Sequence, residues 1–370
     1  MSELYIGLMS GTSMDGIDAA LVDFSGEKLQ LIAFEYLPFS ESIKSKIQHI
    51  SSANQLLLLS DYGALDCELG NLFAEAVNKL LQKAGVADSA VKAIGSHGQT
   101  VYHQPNTDFP FSLQIGDPNV IAEKTGITTV ADFRRRDMAA LGQGAPLAPA
   151  FHQAVFANTE KNVTVLNIGG IANITVLSEK KIIAFDTGTG NTLMDYWIKK
   201  HLNLDYDSNG EWARTGKVIP ELLEQFKQAD YFAAPPPKST GKEYFSVTWL
   251  EQHLSCFANH KAEDVQATLC HLTAETINEA IANHAPDTEH LLVCGGGAHN
   301  SYLLELLAQK NYLVSTTEEY GVHPDHVEAI AFAWLAKQTM NNLAGNLTQV
   351  TGAKTPVILG GIYPGTKGLL

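Results

Sequence analysis

One short pattern occurs twice in this chain of 370 residues, and it limits the fold more than any other feature. Residues 4–8, 17–24 and 29–37 read as three strands. The turn after the first, residues 10–16, is rich in glycine and hydroxyl groups. Val163–Ile168, Ile171–Leu177 and residues 182–185 repeat the arrangement, with Gly169-Gly170 in the matching turn. Apolar, β-branched runs bounded by Gly, Ser and Asp are strand signals. A unit that recurs in each half of a chain implies a duplicated domain. Length points the same way, since ~150 residues per domain gives about two domains.

Helices follow each meander. Leu69, Leu72, Phe73, Ala76, Val77, Leu80 and Leu81 keep helical spacing, and Gly85 stands where a C-cap belongs. Val265, Leu269, Leu272, Ile277, Ala280 and Ile281 draw a second stripe. Val327, Ile330, Ala331, Trp334 and Leu335 draw a third, after Pro324 and Asp325 as a start signal. Strands are expected at 91–95 and 290–294, each running into a polar or glycine-rich loop. Loops at strand C-ends are where α/β sheets hold ligands. Five loops carry that expectation: residues 10–18, 96–100, 167–173, 186–191 and 295–300. Pro235-Pro236-Pro237, beside residues 238–242, reads as an exposed loop.

Composition narrows the function. Apolar residues make up 45% and charged residues 18%, which excludes wholesale disorder. Basic residues number 25 and acidic ones 40, giving −15, which argues against a general nucleic-acid or anionic-membrane binder. A phosphate pocket of backbone N–H groups needs no net positive charge and stays open. No apolar run reaches the roughly 18 residues of a membrane span, and the N-terminus does not read as a signal peptide. The 4 cysteines are scattered, with no C-x-x-C pair, and no H-E-x-x-H occurs. A reduced, cytoplasmic chain is expected. The Gly-Lys pairs continue as Gly216-Lys217-Val218 and Gly241-Lys242-Glu243, so neither is a P-loop. Dinucleotide and protein-kinase signatures are also missing. Two matched glycine turns and the run Gly295-Gly296-Gly297 fit a nucleotide held between two lobes.

These residues resemble the actin, sugar-kinase and heat-shock ATPase superfamily, and within it the anhydro-N-acetylmuramic acid kinases. The resemblance rests on Gly7-Leu8-Met9-Ser10-Gly11-Thr12-Ser13-Met14-Asp15-Gly16-Ile17-Asp18, Ser96-His97-Gly98-Gln99-Thr100 and Ala131-Asp132-Phe133-Arg134-Arg135-Arg136-Asp137. It continues through Gly142-Gln143-Gly144-Ala145-Pro146-Leu147, Asn167-Ile168-Gly169-Gly170-Ile171-Ala172-Asn173, Phe185-Asp186-Thr187-Gly188-Thr189-Gly190-Asn191 and Gly295-Gly296-Gly297-Ala298-His299-Asn300. It covers essentially the whole chain. One departure is Thr189, where the family more often has proline; this touches turn stiffness rather than chemistry.

The resemblance implies an α/β fold of two duplicated actin-like ATPase domains of ribonuclease H-like type, with an interdomain cleft. The domains are expected at 1–130 plus roughly 345–370, and at 131–344. The helix from His326 is expected to cross back toward the first. The implied activity uses ATP, Mg²⁺ and water to convert 1,6-anhydro-N-acetylmuramic acid into N-acetylmuramic acid 6-phosphate and ADP, in peptidoglycan recycling. Asp186 is the implied base for the attacking water, since a positioned carboxylate suits that task. ATP is expected on Ser10, Gly11, Thr12, Ser13, Met14, Asp15, Gly16, Ile17 and Asp18, on Asn167, Gly169, Gly170 and Asn173, and on Gly295, Gly296, Gly297 and Asn300. His97, Gln99, Thr100, Arg134, Asp137 and Glu328 are the sugar-site candidates, with one arginine of 134–136 for the lactyl carboxylate. No direct metal ligand is expected; Mg²⁺ would sit through water near Asp15 or Asp18. The partners are an amino sugar and ATP, with no nucleic acid or membrane, and a homodimer is left open. Two rivals stay open: a sugar kinase that phosphorylates an ordinary hydroxyl, and a non-metabolic actin-like ATPase.

Overall fold

The computed structural model describes residues 2–11, 14–52, 56–157, 161–178, 182–257 and 259–366. The expected ATP contacts Thr12 and Ser13 lie outside the described residues. The strands are β1 (Leu4–Ser10), β2 (Gly16–Asp23), β3 (Gln30–Pro38), β4 (Val91–Gln104), β5 (Phe111–Ile115) and β6 (Thr129–Ala131). They continue as β7 (Val163–Ile168), β8 (Ile171–Leu177), β9 (Ile182–Thr189), β10 (His290–Cys294), β11 (Leu313–Thr316) and β12 (Gly361–Tyr363).

The chain divides into two units, Met1–Phe151 with His326–Leu370, and His152–Asp325. The first carries a sheet ordered β12-β6-β4-β1-β2-β3, with β5 on the far part of β4. The second carries a sheet ordered β11-β10-β7-β8-β9. In each, three antiparallel strands form a meander whose first strand pairs in parallel with the next strand of the chain. Counted by position in each unit, β3-β2-β1-β4-β6 and β9-β8-β7-β10-β11 share one 3-2-1-4-5 core order, to which the first sheet adds β12 and β5; this is the ribonuclease H-like arrangement of the duplicated α/β fold.

The first unit buries Ile6, Leu8, Ile17 and Leu21 of its sheet against Leu65, Leu69, Phe73 and Leu80 of the helix Leu59–Ala84. That helix ends at Gly85, whose φ of 64° is the left-handed C-cap the sequence anticipates. The second unit packs Leu166, Ile168 and Val293 with Leu269, Leu272 and Ile277 of the helix Ala262–His284.

The helix Val327–Met340 is buried on nearly all sides and packs on β1 and β4. Gly7 and Gly95 are register partners on those strands. A Cβ on Gly7 would overlap the Ala329 carbonyl oxygen, and one on Gly95 would overlap that of Phe332. The two glycines make a flat seat, so the helix backbone rests directly on the sheet.

Several expectations shift. The domain boundaries anticipated at 130/131 and 344/345 fall instead at 151/152 and 325/326, because both Phe133–Ala139 and the helix Val327–Met340 belong to the first unit. Residues 96–100 continue β4 rather than form a loop, and Asp186 to Thr189 lie within β9.

Candidate active site

In the second unit the site grows from strand register. Asn167, Asn173 and Asp186 are neighbours across β7, β8 and β9, so their side chains share one face. Gly169 and Gly170 make the adjoining turn, which is tied down by the residues that follow β9. Gly190 N–H donates to the Gly170 carbonyl at 2.9 Å, and Asn191 N–H to that of Gly169 at 2.8 Å. The Asn191 amide reaches the Ile168 carbonyl at 3.3 Å. A Cβ on Gly170 would lie 2.6 Å from Thr192 Oγ1 and 3.0 Å from Lys242 Cε. The turn is thus walled by a hydroxyl and an ammonium stem, and only glycine leaves its surface open. Thr192 Oγ1 and Thr189 Oγ1 are buried without a partner among the described residues. Buried polar groups are normally satisfied, so these two hydroxyls are exceptions, and Thr192 Oγ1 stands directly beside the turn.

The glycine run after β10 divides in role. Gly295, at φ 77°, and Gly297 seat against Asn167 and Ile168, where any side chain would collide. Gly296 is exposed, and a Cβ there would meet only Asn191 Nδ2 at 3.7 Å. Asn300 is buried and caps the helix Ser301–Leu307, its Oδ1 accepting from Leu303 N–H at 3.0 Å. Its side-chain oxygen is therefore committed to the fold, and Gly296 is the member open to a ligand.

Asp186 is half-buried. Its Oδ2 accepts the Thr240 N–H at 2.9 Å. Its backbone is held as well: the Tyr231 hydroxyl donates to its carbonyl at 2.6 Å, and its N–H donates to Lys238 O at 3.2 Å. Burial raises the carboxyl to about 6, against the opposing pull of the Thr240 N–H. Elsewhere in the same unit Asp195 is lifted to about 7 by burial, opposed by the Lys242 ammonium. The proline-flanked stretch is thus not a detached exposed loop. Lys238 and Thr240 are part-buried against the strand that carries Asp186, and Thr240 Oγ1 is buried without a partner among the described residues. Sequence reading missed Tyr231, Lys238, Thr240, Thr192 and Lys242. The one available signal was the string Lys238-Ser239-Thr240-Gly241-Lys242, five small or basic residues beside the prolines.

In the first unit the Ser10 hydroxyl donates to Gln99 Oε1 at 2.6 Å, and Gln99 Nε2 donates to the Gly11 and Thr100 carbonyls at 3.3 and 3.2 Å. Gln99 is fully buried, a strut that holds the β1–β2 turn. Met14 sits in that turn at φ 59°, its N–H on the Gly11 carbonyl at 3.2 Å. Gly16 and Ile17 are buried in β2, while Asp15 is exposed and Asp18 half-buried. Both carboxylates push the Tyr36 phenol upward, after burial as the larger cause, so they share one neighbourhood.

Arg134 gives its Nε and Nη2 to His97 Nε2 at 3.2 and 2.9 Å and its Nη1 to the Gly144 carbonyl at 2.8 Å. A guanidinium only donates, so His97 Nε2 is the acceptor and the ring proton lies on Nδ1, 2.9 Å from the Gly98 carbonyl. Burial and Arg134 together hold the His97 imidazole well below its usual value. Imidazole ¹⁵N shifts of His97 are therefore expected to show an unprotonated Nε2 at a pH where an ordinary imidazole is already half protonated; a protonated ring at that pH would contradict the tautomer. Among the described residues, one N–H on each Arg134 Nη has no hydrogen-bond partner. The guanidinium is lowered by burial to about 10, with Glu328 opposing. The Glu328 carboxyl is in turn raised by desolvation and lowered by Arg134. Arg135 is spent on Asp132 at 2.6 Å, and Arg136 is exposed. Thr100 Oγ1 accepts from Gln114 Nε2 at 3.2 Å. Asp137 is fully buried and accepts from Gly144 N–H, Asn346 Nδ2 and Thr351 Oγ1 at 2.7–2.8 Å. It anchors the loop whose Gly144 carbonyl receives Arg134, and faces other parts of its own unit.

A 3-2-1-4-5 sheet in each unit, an open glycine turn in the second and a burial-raised aspartate on a neighbouring strand are the parts of a duplicated nucleotide-dependent phosphotransferase. A family model described as anhydro-N-acetylmuramic acid kinase matches residues 3–365. The anhydro-N-acetylmuramic acid kinase of Coxiella burnetii (strain Dugway 5J108-111) is 51% identical over 370 residues, covering 99% of this chain and 98% of that protein. Those of Pasteurella multocida (strain Pm70) and Aliivibrio fischeri (strain ATCC 700601 / ES114) are each 49% identical, over 98% of this chain and 97% and 99% of theirs. The chain belongs to the anhydro-N-acetylmuramic acid kinase family. Among the described residues, no helix is long and apolar enough to cross a membrane.

Proposed function

We propose that the chain uses ATP and water to convert 1,6-anhydro-N-acetylmuramic acid into N-acetylmuramic acid 6-phosphate and ADP, a step of peptidoglycan recycling carried out in the cytoplasm. The observation that carries this reading is the Asp186 carboxylate: one oxygen accepts the Thr240 N–H, the other has no hydrogen-bond partner among the described residues, and burial raises its pKa toward neutrality. Asp186 takes a proton from water as the water oxygen bonds to C1. The C1–O6 bond breaks, O6 keeps the electron pair and attacks the γ-phosphorus, and the bond from that phosphorus to the ADP oxygen breaks. A base with a pKa near the working pH is both largely deprotonated and able to hold the proton.

Residues 10–18 and the turn Gly169-Gly170 are assigned to the triphosphate, with Thr192 and Lys242 beside the second. The chemistry fits: backbone N–H groups, an unpartnered hydroxyl and an ammonium are phosphate donors, and the turn is open because no Cβ fills it. Gly296 is assigned to the adenosine. Mg²⁺ bound with the nucleotide would neutralise charge on its phosphoryl oxygens. Asp15 and Asp18 would hold it through water, and two carboxylates in one neighbourhood suit a hard, oxygen-seeking cation. Arg134 is assigned to the lactyl carboxylate through those two Nη N–H groups, with Glu328 and the neutral His97 around it. Gln99 and Asp137 position these groups from beneath.

The test is phosphate transfer from ATP to the anhydro sugar, with ordinary N-acetylmuramic acid as control. Transfer to the anhydro sugar is expected to dominate. Equal or faster transfer to the control would overturn the ring-opening reading.

A further inference from the structure

Residues 231–240 touch Asp186 at more points than a passing loop needs. The Tyr231 hydroxyl holds its carbonyl, the Lys238 carbonyl holds its N–H, and the Thr240 N–H holds its carboxylate. Phe232 lies over Gly188, two residues further along β9; a Cβ there would come within 2.6 Å of its ring. The segment is closed on itself by one side chain. Lys238 Nζ donates to the Tyr231 carbonyl at 3.0 Å and the Phe232 carbonyl at 3.2 Å, and stands 4.6 Å from the centre of the Tyr231 ring. Beneath, Phe245 packs edge-on against Tyr231 and tilted against Phe232, which gives the segment an apolar floor.

We propose that residues 231–240 form a clip that aims the Asp186 carboxylate, and that Lys238 is the positioning residue that locks it. This rests on the reading of Asp186 as the base. The lysine never meets the reacting atoms. It fixes two carbonyls so that Tyr231 and Thr240 approach the aspartate from opposite ends of the segment. Without the lock the Thr240 N–H loses its fixed distance, and the carboxylate gains rotational freedom and water. A small misplacement of a catalytic group is costly, on the order of 10²-fold for 1 Å.

Among the described residues, burial and the Thr240 N–H are the influences that set the Asp186 carboxyl, which makes its pH dependence readable. The Tyr231 phenol feels its charge, and the Lys238 ammonium lies behind that ring. The carboxyl itself is raised by burial first and lowered by the Thr240 N–H second. Opening the clip hydrates the carboxylate, and since burial is the larger influence the acid limb should move to lower pH.

The experiment compares the full-length protein with Lys238→Met, Lys238→Arg and Asp186→Asn, using ATP and the anhydro sugar. For Lys238→Met the expected result is a fall in kcat of about tenfold or more, with both KM values within about twofold of wild type. Its acid limb moves down in pH, and Lys238→Arg, which can still donate to two carbonyls, restores most of the rate. If Lys238→Met keeps the wild-type kcat and acid limb, or raises KM alone, while Asp186→Asn is inactive, the clip is overturned and the base stands. If Asp186→Asn is active, the base is overturned and the clip with it. Should Lys238→Met fail to fold, Tyr231→Phe removes only the hydroxyl on the Asp186 carbonyl; unchanged kcat and acid limb in that variant overturn the clip equally.

Discussion

Asp186→Asn is expected to fold, to bind ATP with little change, and to lose turnover by about 10²- to 10⁴-fold, the usual contribution of a positioned general base. The amide keeps the shape of the carboxylate, and its oxygen can still accept the Thr240 N–H. What it loses is the ability to hold a proton taken from water. The pH profile should change in the same sense. A base works deprotonated, and burial raises Asp186 to about 6. Wild-type kcat/KM should therefore fall roughly tenfold per pH unit below that value and level off above it. Residual activity in the variant should lack this limb. Near-normal turnover, or an acid limb that survives the substitution, would remove Asp186 as the base.

Gly95→Ala should cost stability of the first unit by about 3 kcal/mol, the upper part of the range for overpacking. The reason is contact with backbone rather than with an adaptable side chain: the new methyl would overlap the carbonyl oxygen of Phe332. A fall in the thermal midpoint of roughly 6–12 °C follows for a domain of this size. The helix that must move also carries Glu328, and its Phe332 ring lies 4.7 Å from that of His97. Catalysis should weaken along with stability. Gly7→Ala should behave similarly, because Gly7 faces the Ala329 carbonyl one turn away. Once the helix has shifted for one methyl the second meets less resistance, so the double variant should lose less than the sum. A midpoint unchanged in either single variant would contradict the direct seating of helix on sheet.

What the sequence made legible follows from how local each signal is. The twin meanders were readable because alternating apolar runs and glycine turns are properties of neighbouring residues; β7, β8 and β10 begin and end where the pattern places them. The long helices were readable from their spacing, and Gly85 from its place after the last apolar residue. Residues 96–100 misled because Ser, His, Gln and Thr resemble a loop. Ser96, His97 and Gln99 are buried in β4 and Thr100 half-buried, and most of their polar side-chain groups are satisfied inside the fold, Gln99 by Ser10, Gly11 and Thr100 and His97 by Gly98 and Arg134. The clip on Asp186 was invisible for the opposite reason. Its contacts with β9 span some 45 to 54 residues and run largely through backbone N–H and carbonyl groups, which leave no trace in side-chain pattern. The glycine seat is a further case. Gly7 looks like part of the phosphate turn it precedes, and only a helix more than 300 residues later explains why it has no side chain.

The most direct measurement follows the oxygen atom. Reaction of the anhydro sugar with ATP in ¹⁸O-enriched water should leave label on C1 of the product and none in the transferred phosphoryl group. Unlabelled C1, or label carried on the phosphorus, would contradict an aspartate-primed water opening the ring.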